Sequence, residues 1–112
     1  MTPEQKALAK REYKEQTHPK GVFRVHCAAT GQNWVDASTT LDTIQNRIWF
    51  MLRMGSFHTR DLQRAWTEAG PDALTFEVLE TFPEDASDLA VERLIKERTA
   101  HWRDAFDAAP CL

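Results

Sequence analysis

Apolar residues recur along this chain with two different periods, and the places where the period switches outline its elements. From Gly21 to Cys27 the alternation is strict. Phe23, Val25 and Cys27 fall on one face, and Val22, Arg24 and His26 fall on the other. That period of two predicts a strand. Thr30-Gly31 supplies a turn, and Asn33 to Ala37 reads as the returning strand of a hairpin. From Leu41 to about Met54 the spacing lengthens to that of a helix, with Ile44, Ile48, Met51 and Leu52 as its apolar stripe. Gly55 is suited to close this helix in a left-handed conformation. A shorter helix is predicted from about Thr59 to Ala69, burying Leu62, Ala65, Trp66 and Ala69 and stopped by Gly70-Pro71. Leu74 to Glu80 is a third strand. Ser87 is placed to cap a long helix to about Phe106, with Val91, Leu94, Ile95, Arg98, Trp102 and Ala105 along one side.

Ahead of these elements, Thr2-Pro3-Glu4-Gln5 has the form of a helix start: a capping threonine, proline at the first position, and glutamine completing a capping box. A helix from about Pro3 to Glu15 follows, ended by Thr17-His18-Pro19. The chain therefore divides into an N-terminal helix (1–19), one central domain (20–106) and a short C-terminal tail (107–112). The expected fold class is α/β, a small three-stranded, mostly antiparallel sheet packed with helices. No internal repeat or low-complexity stretch interrupts it.

Composition narrows the function classes. The chain has 112 residues, 42% of them hydrophobic and 28% charged, which is ordinary for one globular domain. No run approaches the length of a membrane span, and the polar start lacks the apolar centre of a secretory signal. Two cysteines, Cys27 and Cys111, are too few for a disulfide framework, so a reducing, cytoplasmic setting is expected. The net charge of −3 is unevenly spread. Residues 1–19 carry 4 basic and 3 acidic groups, residues 20–70 carry 6 and 4, and residues 71–112 carry 4 and 10. A phosphate-binding face is thus confined to the first two-thirds, and no dense basic cluster marks it.

Several catalytic patterns are absent. The histidines His18, His26, His58 and His101 share no metal-ligand spacing with one another or with the cysteines. No glycine-rich phosphate loop is present. Ser56, His58 and Asp61 are neighbours at a helix start, where Asp61 or Thr59 is better suited to capping than to nucleophilic catalysis. Trp66 and Trp102 sit on apolar stripes and are expected in the core. Trp49 falls off its helix's stripe beside Phe50, so this pair is a candidate partner surface, or a place covered by the N-terminal helix.

The order of elements and several words resemble the GIY-YIG nuclease family over about Gly21 to Trp102. Gly21-Val22-Phe23 stands where the family has Gly-Ile-Tyr, and Trp34-Val35-Asp36 stands where it has Tyr-Ile-Gly. Ala37-Ser38 and Leu41 resemble the residues leading into the next helix. Met54-Gly55-Ser56, Leu62-Gln63, Trp66, Gly70 and Phe76 to Glu80 resemble a subgroup with a helical insertion before the third strand. The resemblance implies cleavage of DNA by one divalent ion, Mg²⁺ or Mn²⁺, held by a helical glutamate. In that family the two tyrosines position the attacking water and help manage its proton. An arginine on the first helix after the hairpin stabilises the phosphate, often beside a histidine one turn later.

Here the pattern departs from the family at each of these points. Phe23 has no hydroxyl, Trp34 is a donor only, and Asp36 puts a negative charge where the family has glycine. The arginine and histidine positions fall on Ile44 and Ile48. Two compensating residues are candidates: Arg47, flanking the stripe, for the phosphate, and Glu92, at the edge of the last helix's buried side, for the metal. Aligning on Trp102 instead places Thr99 at the ligand position. Two functions follow: a divergent metal-dependent endonuclease using Phe23, Trp34, Arg47 and Glu92, or an inactive descendant that binds nucleic acid or a protein through the same face.

Overall fold

The computed structural model describes residues 18–112, so the expected N-terminal helix lies outside the described residues. Two strands come first, β1 (Gly21–Cys27) and β2 (Asn33–Ser38), followed by helices α1 (Leu41–Arg53) and α2 (Arg60–Ala69). A short 3₁₀ turn (Pro71–Ala73) leads into β3 (Leu74–Thr81), and α3 (Asp88–Phe106) completes the order. The elements foreseen between Gly21 and Phe106 are all present, with ends displaced by a residue or so.

The sheet runs β2-β1-β3 with both pairings antiparallel. Because β1 is central, its two faces define two cores. Phe23, Val25 and Cys27 join Trp34 of β2 and the stripes of α1 and α2 on one side. Val22 and Val35 face the other way, under Val91, Leu94, Ile95 and Trp102 of α3. The sheet is thus a partition between the α1/α2 layer and α3.

Local chemistry explains the boundaries. Ser87 Oγ accepts the Ala90 N–H at 3.1 Å and starts α3. Gly55 follows α1 at φ 73°, the left-handed turn expected of it. Two side chains depart from their expected places. Met51 lies outside the buried stripe of α1, 39% exposed, while Leu41 at the start of the helix belongs to that stripe. Ala105 faces solvent.

The β1–β3 register slips between Val22 and Phe23, which pair with Glu80 and Val78 and leave Leu79 as an extra residue on β3. The bulge turns the Glu80 carboxylate onto the α3 side. There it accepts from Arg98 Nε at 2.8 Å and from Trp102 Nε1 at 3.0 Å. Burial acts to raise this carboxyl, but the Trp102 and Arg98 hydrogen bonds and the Arg98 charge outweigh it and hold the group below its ordinary range.

The C-terminal segment is docked along the outer edge of β2. Ala109 pairs with Trp34 in parallel fashion, its N–H donating to Asn33 O at 3.0 Å and its carbonyl accepting from Val35 N at 2.9 Å. Covering an edge strand in this way removes a row of unpaired backbone groups.

Candidate functional site

Phe23 and Trp34, the two aromatic motif positions, lie on the α1/α2 side of the sheet, and neither has any exposed surface. Phe23 stacks on Phe76 of β3 with centroids 5.2 Å apart. The Trp34 indole N–H donates to Asp61 Oδ2 at 3.1 Å, a side chain delivered from the first turn of α2. A buried indole needs such a partner, so this bond ties the motif residue to α2. Asp61 was expected to cap α2; instead it serves Trp34 and the Leu62 N–H. Thr59, the other expected cap, makes no capping bond and donates its hydroxyl to Cys111 O.

Asp36, at the family's glycine position, is fully engaged. Its carboxylate accepts from Leu112 N at 2.9 Å and from Ala37 N at 2.9 Å, and Arg103 Nη2 of α3 stands 3.3 Å away. Arg103 also donates through Nε to Val35 O at 2.9 Å. The negative charge that Asp36 brings to the motif is therefore already held by the chain's own donors. Cys111 completes the cover. It has no exposed surface and joins the same core as Phe23 and Trp34. Burial, with the Asp36 and Asp61 carboxylates nearby, pushes its thiol up to about 12.

The remaining candidates stand elsewhere. Arg47 is exposed on α1, its Nη2 donating to Thr40 Oγ1 at 2.6 Å. Glu92 is exposed on α3, along a shallow surface it shares with Leu89, Arg93, Lys96 and Glu97. Phe23 and Trp34 belong to one core and α3 to the other, so the sheet separates Glu92 from the two aromatics. Thr99, the alternative ligand position, is buried under α3, and its hydroxyl has no hydrogen-bond partner among the described residues. The structure places Phe23 and Trp34 in one core, leaves Arg47 exposed and bonded to Thr40, and sets Glu92 on the helix across the sheet.

This arrangement does not fit a divalent ion at the proposed ligand. Mg²⁺ and Mn²⁺ favour convergent oxygen donors. Glu92 instead has Arg93, Lys96 and Glu97 along its surface, and no three His, Cys, Asp or Glu side chains converge on a metal position among the described residues. Near the motif face lies a cleft of about 350 Å³ bordered by Gln32, Asn33, Asp61, Phe106 and Asp107.

Trp49, a candidate for a partner surface or for cover by the N-terminal helix, is half-buried and packs edge-on against Trp66 at 5.7 Å and Phe76 at 6.3 Å. Phe50 remains 60% exposed, beside Met51 and Met54. Asp61, Arg103 and Cys111 were missed as parts of this site by sequence reasoning. Each acts across a long sequence separation and carries no local spacing that marks it.

No family model matches the sequence, and no curated protein matches it. Two solved structures do. One is a mutant of the catalytic domain of the intron endonuclease I-TevI, 19% identical, covering 80% of this chain and 84% of that one with a TM-score of 0.66. The other is the catalytic domain of homing endonuclease I-TevI, 20% identical, covering 79% and 88% with a TM-score of 0.65. The chain has the fold of a GIY-YIG endonuclease catalytic domain.

Proposed function

We propose that this chain is a divergent GIY-YIG-type domain that binds DNA and no longer cleaves it by the metal-dependent route of that family. The observation that carries the reading is the complete burial of Phe23 and Trp34, in the core beneath α1 and α2, with the C-terminal segment closing the β2 edge beside Trp34. Hydrolysis at a phosphodiester needs a cation, a water and an acceptor for its proton at one open place. On the motif face Phe23 lacks an acceptor, the Trp34 N–H is used by Asp61, and Asp36 is held by Leu112 and Arg103.

Support for DNA as the ligand comes from the fold and from charge. The α1/α2 layer exposes Arg47, Arg53, Arg60 and Arg64, whereas most of the acidic excess lies beyond residue 70. A polyanion would approach the arginine side, where counterion release makes affinity fall with salt. The exposed Phe50, Met51 and Met54 are where the same reading places any protein contact. Two free, buried cysteines accord with a cytoplasmic protein.

The runner-up, an active endonuclease, is favoured by the likeness to endonuclease catalytic domains. One experiment separates the two. Duplex binding is measured at several salt concentrations, and plasmid nicking is assayed with Mg²⁺ or Mn²⁺ for the parent, Arg47→Ala and Glu92→Ala. Salt-dependent binding without nicking supports the proposal. Nicking that is lost in both variants establishes the endonuclease. A folded protein with neither activity removes both readings.

A further inference from the structure

We propose that residues 107–112 are a hinged strap, opening as a unit at Asp107 while the rest of the domain stays folded. The hinge is visible in the backbone. α3 ends with Asp107 in the left-handed region, at φ 50° and ψ 50°, the one positive-φ residue other than glycine among the described residues. Ala108 N donates to Arg103 O at 2.9 Å, the bond that closes a helix when the following residue turns left-handed. This position ordinarily favours glycine, because a Cβ crowds the backbone there. Returning Asp107 to right-handed geometry removes that crowding and continues α3, which carries the strap off β2.

What holds the strap closed is modest in kind. The strap is held by the two Ala109 backbone bonds, the Leu112 N–H to Asp36, the Thr59 hydroxyl to Cys111 O, the buried Cys111 side chain, and the methyl groups of Ala108 and Ala109 against the two cores. Ala108 and Ala109 are small, Pro110 is exposed and Leu112 is 46% exposed. A segment with few apolar contacts and replaceable backbone bonds opens at far lower cost than the whole domain. Cys27 is the opposite case, since it ends the central strand, is paired with Leu74 and is fully buried. Opening the strap uncovers the β2 edge, Asp36 and the side of the core holding Trp34. As regulation of DNA binding this rests on the proposed function, whereas the hinge itself rests on geometry alone.

The two cysteines supply the test, which uses no DNA and so stands apart from the binding proposal. The full chain is exposed to N-ethylmaleimide under native conditions, and labelling of Cys111 and Cys27 is followed by peptide mass mapping. Global unfolding exposes both thiols, so the change in their rate ratio between variants reads the strap. Asp107→Gly favours the closed turn and disfavours the continued helix, and Asp107→Ala does the reverse. The Cys111-to-Cys27 ratio is expected to be roughly tenfold to thirtyfold higher in Asp107→Ala than in Asp107→Gly, with the parent between them. Should Asp107→Ala fail to fold, the parent against Asp107→Gly decides on the same ratio. A ratio unchanged by these substitutions, or equal labelling of both cysteines at the rate of global unfolding, overturns the hinge.

Discussion

Replacing Gly21 with alanine tests whether the motif glycine serves chemistry or packing. A Cβ built at Gly21 would lie 2.0 Å from the carbonyl oxygen of Glu80 and 2.9 Å from the Thr81 Cα. Both neighbours are backbone, so no flexible side chain can swing away. Glu80 is also pinned from the α3 side by Arg98 and Trp102, and the adjacent Val22–Phe23 step already carries the register shift of the bulge. Relief requires β1 and β3 to part at the end where they are paired as Gly21 with Thr81. Overpacking of this kind costs about 3 kcal/mol, the upper end of the usual range because the obstacle is main chain. For a domain of this size that corresponds to a fall in Tm of about 12 °C. Urea and thermal unfolding of parent and Gly21→Ala measure it directly, with circular dichroism at low temperature confirming that the variant folds. A change below about 0.5 kcal/mol would falsify the close approach and remove packing as the reason for a glycine at this motif position.

Asp61→Ala is expected to destabilise the protein by about 2 kcal/mol, unusually large for an exposed aspartate, because it orphans the buried Trp34 N–H. A double-mutant cycle with Trp34→Phe should recover most of that loss, and strictly additive urea data would refute the bond. Glu80→Gln is predicted to be less stable than the parent at pH 7. Because the folded pKa of Glu80 is depressed, its contribution is present above the unfolded value and disappears as pH falls through the folded one, so the two variants' stabilities should converge as the pH is lowered below the ordinary carboxylate range. Cys111 has the opposite sign: its raised folded pKa gives stability that is complete below the unfolded value and lost as pH climbs from about 9 toward about 12. Cys111→Ala should therefore show about 2 kcal/mol less alkaline destabilisation near pH 10.5, read as the difference between unfolding at that pH and at pH 7.5.

The elements were legible because each rests on interactions within a few residues: alternation in β1, the Ile44–Ile48–Leu52 spacing of α1, and the Ser87 cap of α3. The candidate site was not, because its defining contacts are long-range. Trp34 finds Asp61 only once α2 folds back over β2, and Asp36 finds Leu112 only once the strap reaches the sheet edge. Nothing in the composition of Asp107 to Leu112 announces a strap, since alternation needs more than the one buried side chain that Cys111 supplies. Trp49 shows the same limit from the other direction: it lies off the stripe of its own helix, yet Trp66 and Phe76 arrive from elsewhere in the chain to cover it. Glu92 and Thr99 are two turns apart on one side of α3, so helical spacing cannot choose between them. Tertiary structure does, burying Thr99 and leaving Glu92 in solvent. The motif words thus specify where strands and turns belong, while the surroundings of those words depend on segments distant in sequence. In this chain α1 and α2 cover Phe23 and Trp34, and Cys111 with Ala109 closes the edge beside Trp34, so residues far from the motif words in sequence enclose both aromatics.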